Sequence, residues 1–191
     1  MKTTGMILGF LVLLLLPLSI SNALAIPIDL NDFYADPTVD VALDGSSATM
    51  YEDSFLITVL LSNDPFFGDP GILVPSDPFL LRFDYSFMEG VGNDDDFYAK
   101  VFDGGTGDLL ADFLVESSLS GTVSWNLAGI DPAITLLGLE FQLNAYDLLT
   151  DSVAQVSNVS LDAAAAPVPE PTTVALLGCG LLTLLGLRKR F

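Results

Sequence analysis

Residues 79–87 alternate strictly between two kinds of side chain. Large apolar or aromatic residues occupy every second position, and Leu, Arg, Asp and Ser lie between them. Because a β-strand points successive side chains to opposite faces, this period of two predicts a half-buried strand. Residues 137–144 repeat the pattern, with Leu137, Leu139, Phe141 and Leu143 on one face. No segment between Ile26 and Ala166 has the 3.6-residue period of an amphipathic helix.

Other short stretches between Ile26 and Ala166 have the same extended character. They are residues 39–43, 55–61, 97–102, 109–115, 122–127 and 154–161. Gly, Pro, Asn and Asp separate them, so we predict an all-β fold, an antiparallel β-sandwich of jelly-roll type. Residues 62–78 contain four prolines and predict a surface loop without regular structure.

The N-terminal segment has the features of a secretory signal peptide. Lys2 precedes an apolar run of 13 residues, 6–18, and small residues follow at Ala23 and Ala25. This order predicts cleavage between Ala25 and Ile26. Residues 1–25 would therefore be a signal helix, and residues 26–166 an exported domain.

Residues 167–191 contain a proline-flanked glutamate, an uncharged apolar run and a basic cluster, in that order. The flanking segments consist of Val168, Pro169, Glu170, Pro171, Arg188, Lys189 and Arg190. The 16 uncharged residues between them, 172–187, would form a transmembrane helix about 24 Å long, slightly shorter than a typical hydrocarbon core. The basic cluster would stay on the cytoplasmic side. An ordinary tail anchor would explain the helix and the basic end but not the Pro-Glu-Pro.

These segments resemble the PEP-CTERM sorting signal of Gram-negative bacteria. The resemblance implies export across the inner membrane, anchoring by the C-terminal helix, and recognition and removal of the signal by exosortase, a membrane protease-transpeptidase. It also implies a final place on the cell surface or in the extracellular matrix of a biofilm, with exopolysaccharide as a partner. The resemblance indicates where the domain is delivered, but it does not indicate what the domain does.

The charge of the chain excludes several classes of function. Residues 29–162 contain 24 acidic side chains against Arg82 and Lys100, a net charge of −22. Such a surface repels nucleic acid, and it either attracts divalent cations or keeps the domain soluble. The chain has no histidine, which excludes Ser-His-Asp and Cys-His catalysis. The single cysteine, Cys179, lies in the apolar run, so the exported domain has no disulfide.

A second resemblance covers the strands of the exported domain. The segments FDYSF at 83–87, FYAKVFD at 97–103, LEFQLNAYD at 139–147 and VSNVSLDA at 156–163 look like the jelly-roll domains common in PEP-CTERM proteins. Those domains resemble carbohydrate-binding modules, some of which hold a structural calcium ion. Their pattern often ends in Asp-Asn-Val, whereas this chain has Ser157 before Asn158 and Val159, a departure at a metal-ligating position.

The sequence offers one candidate metal site and one set of candidate ligand residues. Asn93 and the carboxylates of Asp94, Asp95 and Asp96 form an oxygen-rich turn of the kind that suits calcium, although a solvated hairpin turn explains the same residues. Aromatic rings that could stack on a sugar are Trp125, Tyr98, Tyr34, Phe66 and Phe67. Trp125 lies in a predicted strand, where it would alternatively fill the core. Phe66 and Phe67 lie in a predicted loop and are expected to tuck under it.

Three functions from different classes follow from these observations. We favour an exported non-catalytic surface or matrix protein whose sandwich binds glycan, with calcium as a structural ion and no other cofactor. The second is a purely structural matrix protein or adhesin without a small ligand. The third is a secreted glycoside hydrolase that uses two carboxylates, although no motif marks such a pair.

Overall fold

The computed structural model describes residues 25–76, 79–91, 94–146 and 149–163 of the chain. The predicted signal helix and the predicted C-terminal helix lie outside these residues. Within the described ranges, no helix is long and apolar enough to cross a membrane.

The described residues form twelve strands in two antiparallel sheets, which confirms the predicted all-β fold. The strands are β1 (Ile26–Pro27), β2 (Tyr34–Ala35), β3 (Val39–Val41), β4 (Ser47–Tyr51), β5 (Thr58–Asn63), β6 (Ile72–Leu73), β7 (Phe79–Met88), β8 (Asp96–Asp103), β9 (Leu109–Val115), β10 (Leu119–Asn126), β11 (Leu136–Asn144) and β12 (Val153–Ala163). The first sheet has the order β10-β7-β12-β4-β3, with β1 beside β12. The second has the order β2-β5-β11-β8-β9, with β6 beside β11.

The two sheets enclose an aromatic core between their inner faces. Phe141 of β11 is fully buried, and its ring lies 5.1 Å from that of Phe83 on β7 and 6.4 Å from that of Phe97 on β8. Because the side-chain period is two, the residues between these core positions point outward. The outward positions of β8 and β11 therefore build the exposed face of the second sheet.

Each of the eight predicted stretches forms a strand, but the bounds move and four strands were not predicted. The strand β5, for example, begins at Thr58 rather than at Phe55. Phe55 lies instead in a turn, where its backbone N–H donates to Asp53 Oδ1 at 2.7 Å, and its side chain is exposed. The short strands β1, β2, β4 and β6 had no apolar alternation long enough to mark them.

The predicted irregular loop of residues 62–78 is more ordered than expected. Pro65–Phe67 forms one turn of 3-10 helix, and β6 pairs with β11 through Ile72 and Leu137. Asn63 Oδ1 accepts a hydrogen bond from the Gly71 backbone at 2.6 Å and closes the loop between them. The prediction of a loop without regular structure is therefore wrong for these residues.

The direction of β12 places the first and last described residues at one end of the sandwich and the turns after β4 and β7 at the other. Ala163, the last described residue, pairs with Phe79, and Leu161 pairs with Ile26 close to the first described residue. Val153, at the other end of β12, pairs with Tyr51 and Met88. The turns that follow β4 and β7 therefore lie far from the point where the chain continues toward its sorting segment.

Candidate functional site

Polar and aromatic side chains form an open cleft on the outer face of the second sheet. The cleft has a volume of about 450 Å³. It is lined by residues of β8, β9, β11 and the connections beside them: Asp64, Phe66, Tyr98, Lys100, Phe102, Thr106, Gly107, Leu109, Glu140 and Gln142. We call it the β8–β11 cleft. Register explains its make-up, because Lys100 pairs with Glu140 and Tyr98 pairs with Gln142, all at outward positions.

An ion pair lies at the centre of the β8–β11 cleft. Lys100 Nζ is 2.8 Å from Glu140 Oε1, and the two side chains are 29% and 10% exposed. Lys100 Nζ also lies 5.8 Å from the centre of the Phe102 ring. Glu140 accepts a further hydrogen bond from the Gln142 amide, and Ser62 Oγ lies 3.5 Å from its Oε2. The pair is thus fixed by neighbours on three strands.

Tyr98 presents a half-buried ring beside this pair. Its hydroxyl donates to Asp112 Oδ2 on the neighbouring strand β9 at 3.1 Å. Burial raises the pKa of Tyr98, and the hydrogen bond to Asp112 and the negative charges of Asp112 and Glu140 raise it further. The ring is therefore a neutral phenol at physiological pH and is held in one orientation.

Phe66 and Phe67 stand exposed at the rim of the cleft, so the expectation that they tuck under the loop is wrong. Their side chains are 70% and 85% exposed, and their rings meet edge to face at 6.0 Å. Asp64 accepts from the Phe66 backbone at 2.8 Å, and Asp69 accepts from the Asp64 backbone at 3.2 Å. Of the two rings, Phe66 lines the cleft.

The floor of the cleft depends on a glycine. Phe102 of β8 pairs with Gly138 of β11, and the Phe102 ring lies where a Cβ atom on Gly138 would be. The ring is therefore laid flat across the sheet and only 5% exposed. This contact could not be predicted, because Gly138 looks like any small outward residue of a strand.

Trp125 and Tyr34, two other predicted ligand residues, lie outside the cleft lining. Trp125 is only 9% exposed and packs at 5.2 Å against Phe83, so it fills the core and its prediction as a ligand residue is wrong. Tyr34 is 52% exposed on the edge strand β2, and its hydroxyl donates to Asp36 Oδ1 at 3.0 Å. It pairs with Ser62, which places it on the same outer face as Glu140 but outside the cleft lining.

Sequence reasoning identified Tyr98 and Phe66 but missed the polar centre of the cleft. Lys100 had one signal, because it is the only lysine between residues 29 and 162. Glu140 and Gln142 were recognised as outward positions of one strand, without any indication that they would meet Lys100. Their meeting depends on the pairing of β8 with β11, which brings together residues about 40 apart in sequence.

The three predicted metal-ligating carboxylates have separate surroundings in the structure. Asp94 is exposed, and Asp96 accepts from Asn144 Nδ2 at 2.7 Å. Asp95 is 4% exposed and accepts from Ser152 Oγ at 2.6 Å and from the Tyr146 backbone at 2.9 Å. No group of three or more such ligands that could hold a metal ion occurs among residues 25–76, 79–91, 94–146 and 149–163. The placed carboxylates thus do not fit a calcium ion, and Asn93 lies outside the described residues.

Asn158, which the resemblance placed near a metal-ligating position, has a local structural role. It lies in a bulge of β12 with φ of 53°, a left-handed conformation that Asn tolerates better than most residues. Its side-chain amide donates to Asp84 Oδ2 at 2.8 Å. The side chain therefore ties β12 to β7.

Comparisons with solved structures find proteins of low sequence identity. TmCBM61, determined in complex with β-1,4-galactotriose, is 11% identical, with 68% of this chain and 85% of that chain covered at a TM-score of 0.45. The agarase AgWH50C is 12% identical, with 73% and 26% covered at a TM-score of 0.49. A structure described as "CBM4 structure and function" is 8% identical, with 69% and 78% covered at a TM-score of 0.35. These similarities are low, so what the proteins bind is not transferred to this chain.

Comparison with protein families finds one match, at the C-terminal end. No curated protein sequence matches the chain. Residues 167–190 match the PEP-CTERM protein-sorting motif, which confirms the resemblance seen in the sequence. The motif indicates export, anchoring in a membrane, processing by exosortase and sorting to the surface. The chain is thus an exported protein that carries a PEP-CTERM sorting motif behind an all-β domain.

Proposed function

We propose that the exported domain is a non-catalytic binding module that holds glycan in the β8–β11 cleft at the cell surface or in the extracellular matrix. The observation that carries the proposal is the arrangement of rings and fixed polar groups in one open cleft. Phe66 stands at the rim, Tyr98 lies half-buried beside the Lys100–Glu140 pair, and that pair lies between Tyr98 and the Phe102 ring.

Sugars have two chemical features that this cleft can match. The C–H groups of a pyranose ring form an apolar face, which packs on aromatic rings such as those of Phe66 and Tyr98. The hydroxyl groups around the ring donate and accept hydrogen bonds, and the oxygens of Glu140, Gln142 and Thr106 line the same cleft. A volume of about 450 Å³ lies in the usual range of small-ligand sites.

The side chains that would meet the sugar are held in place before it arrives. Glu140 is fixed by Lys100 and Gln142, and Tyr98 is fixed by Asp112. Phe66 is carried by a hydrogen-bonded turn rather than by a loose loop. Because these groups lose little freedom on binding, an open and shallow cleft can still give a useful affinity.

The exported location supports the same proposal. A protein sorted to the surface meets extracellular polysaccharide, which would serve as the ligand that keeps the domain in the matrix. The proposal makes no use of calcium, and it requires no catalytic carboxylate pair. The proposal also includes a Gram-negative origin of the protein and its anchoring in the inner membrane by a C-terminal helix. It further includes removal of residues 1–25 on export.

Retention of the full-length chain on insoluble polysaccharides tests the proposal. The purified chain, solubilised in detergent, is incubated with a panel of insoluble glycans, and bound and free protein are separated by sedimentation. We expect saturable retention on at least one glycan, without release of new reducing ends, and a reduction of about tenfold in Tyr98→Ala because one aromatic contact is lost. Release of reducing ends would favour the hydrolase, and absence of retention on every glycan would favour the purely structural protein.

A further inference from the structure

We infer that the β8–β11 cleft selects uncharged, hydroxyl-rich glycans and rejects glycans that carry uronate or sulfate groups, and that Glu140 determines this selectivity. The inference rests on the proposed function and names the ligand class of the same cleft. It follows from the charges and hydrogen-bonding groups that line the cleft.

Lys100, the cation that lines the cleft, is not available to an anionic ligand. Lys100 Nζ is engaged by Glu140 at 2.8 Å and lies against the Phe102 ring. The Lys100 side chain is only 29% exposed, so an incoming carboxylate would have to displace Glu140 to reach it. Since Glu140 is itself buried on the sheet, displacement would leave it without its partner, which is unfavourable.

The surroundings of the ion pair are acidic. Asp64 lines the cleft and Asp112 lies beside Tyr98. Thr106, also in the lining, has its Oγ1 2.9 Å from Asp103 Oδ2 and 3.0 Å from Asp108 Oδ2, so those carboxylates lie close to one side of the cleft. Because Glu140 cancels the charge of Lys100, the field in the cleft is negative, and an anionic sugar is repelled.

The balance of donors and acceptors points the same way. The carboxylate oxygens of Asp64, Asp112 and Glu140, which lie in and beside the cleft, can only accept hydrogen bonds. A sugar hydroxyl brings a donor and satisfies such an oxygen, whereas a uronate or sulfate brings only acceptors. An anionic group would thus bring its acceptor oxygens against acceptor oxygens, with no proton to share between them.

Matched polysaccharide pairs test the selectivity. The full-length chain in detergent is titrated with β-1,4-mannan and polymannuronate, which share one linkage, and with dextran and dextran sulfate, which share one backbone, at low salt. We expect binding to a neutral polymer and at least tenfold weaker binding to its acidic counterpart, with the ratio narrowing as salt is added because charge repulsion is screened. Glu140→Gln leaves the charge of the Lys100 ammonium uncancelled and should raise the affinity for the acidic polymers about tenfold.

Two further variants keep the test interpretable. Glu116→Gln makes the same charge change in the exposed connection after β9, outside the cleft lining, and should leave the ratio unchanged. If Glu140→Gln does not fold, as judged from Trp125 fluorescence, Asp112→Asn removes a charge from an exposed position on the same face and should shift the ratio in the same direction.

The outcomes separate the inference from the proposed function. Equal binding of acidic and neutral polymers, lost in Tyr98→Ala, would overturn the selectivity and keep the glycan site. Selectivity that Glu140→Gln or its substitute variant leaves unchanged would overturn the role given to the cleft carboxylates. Absence of binding to any polymer would overturn the proposed function and the inference with it.

Discussion

At the scale of single residues, the site depends on contacts that reach across strands. Phe102 can lie flat only because Gly138 has no side chain, and Lys100 is held only because Glu140 lies opposite it on β11. The alternation of β8 and β11 predicted that such residues point outward, but it could not predict which of them meet. Trp125 shows the converse. In the sequence, a tryptophan suggests a surface on which a sugar could stack, but the pairing of β10 with β7 directs its side chain into the core.

Replacement of Gly138 by alanine tests the floor of the cleft. The added Cβ would overlap the Phe102 ring and force it away from the sheet. We expect Gly138→Ala to lower stability by about 1–3 kcal/mol, as overpacking does, and to weaken glycan binding. Denaturant unfolding followed by Trp125 fluorescence and retention on the bound glycan measure the two effects.

Gly129→Ala is the matched control for this substitution. Nothing lies within 4 Å of the Cβ position at Gly129. This control should change neither stability nor binding by a measurable amount. A Gly138→Ala variant that binds and unfolds like the unmodified chain would show that the cleft does not depend on the position of Phe102.

At the scale of strands, the Asp84 carboxylate links three neighbouring strands of the first sheet, β10, β7 and β12. Asp84 on β7 accepts from the Thr122 hydroxyl on β10 and from the Asn158 amide on β12. The hydrogen bond from Thr122, then that from Asn158, and to a smaller extent the charge of Arg82 lower the pKa of Asp84, against the opposing effect of burial. The ionised carboxylate therefore favours the folded state.

The pH dependence of stability tests this tie. Because the pKa of Asp84 is lower in the folded than in the unfolded chain, its contribution is present above about pH 4 and is lost as pH falls through the folded pKa. We expect Asp84→Asn to unfold at lower denaturant than the unmodified chain at pH 7, and the difference to shrink toward pH 2. Asp40→Asn is the control for this substitution, because it makes the same charge change on the edge strand β3. A difference that stays constant with pH would contradict the assigned role.

The strands that sequence analysis found and missed differ in length and in burial. The long strands β7 and β11 bury one face completely, so their alternation is unambiguous. The strand β4 contributes only Ala48 and Met50 to the core, and β6 has two residues. Such elements form because a longer neighbour supplies hydrogen-bonding groups to them, and that neighbour is distant in sequence. Their absence from the prediction follows from this dependence.

At the scale of the whole molecule, fold class and destination could be predicted and the site only in part. Period-two patterns over the middle of the chain fix an all-β domain, and a local motif fixes the sorting signal. The cleft required the strand order, which no local pattern contains. The calcium site was predicted from an acidic turn whose described carboxylates form separate contacts, with Asp95 joined to Ser152 and Asp96 to Asn144.

A thermal melt with calcium tests whether the acidic turn holds an ion. Since the hydrogen bonds from Ser152 and Tyr146 already engage Asp95, we expect calcium to move the unfolding midpoint no more than magnesium does at equal concentration. A saturable shift specific to calcium, reversed by chelator, would contradict this expectation. A native-state site filled at one hundred times its dissociation constant would add roughly 2.7 kcal/mol, a shift of a few degrees.

The affinity of two phenylalanine variants for the retained glycan tests the location of the site most directly. Phe66 and Phe55 are both exposed, at 70% and 91%, but they lie beyond opposite ends of β5, and only Phe66 lines the β8–β11 cleft. Phe66→Ala should weaken binding about tenfold, the loss expected from one aromatic contact of about 1.4 kcal/mol. Phe55→Ala should leave the affinity unchanged. Equal affinities for Phe66→Ala and the unmodified chain, or a loss confined to Phe55→Ala, would show that glycan is not held in this cleft.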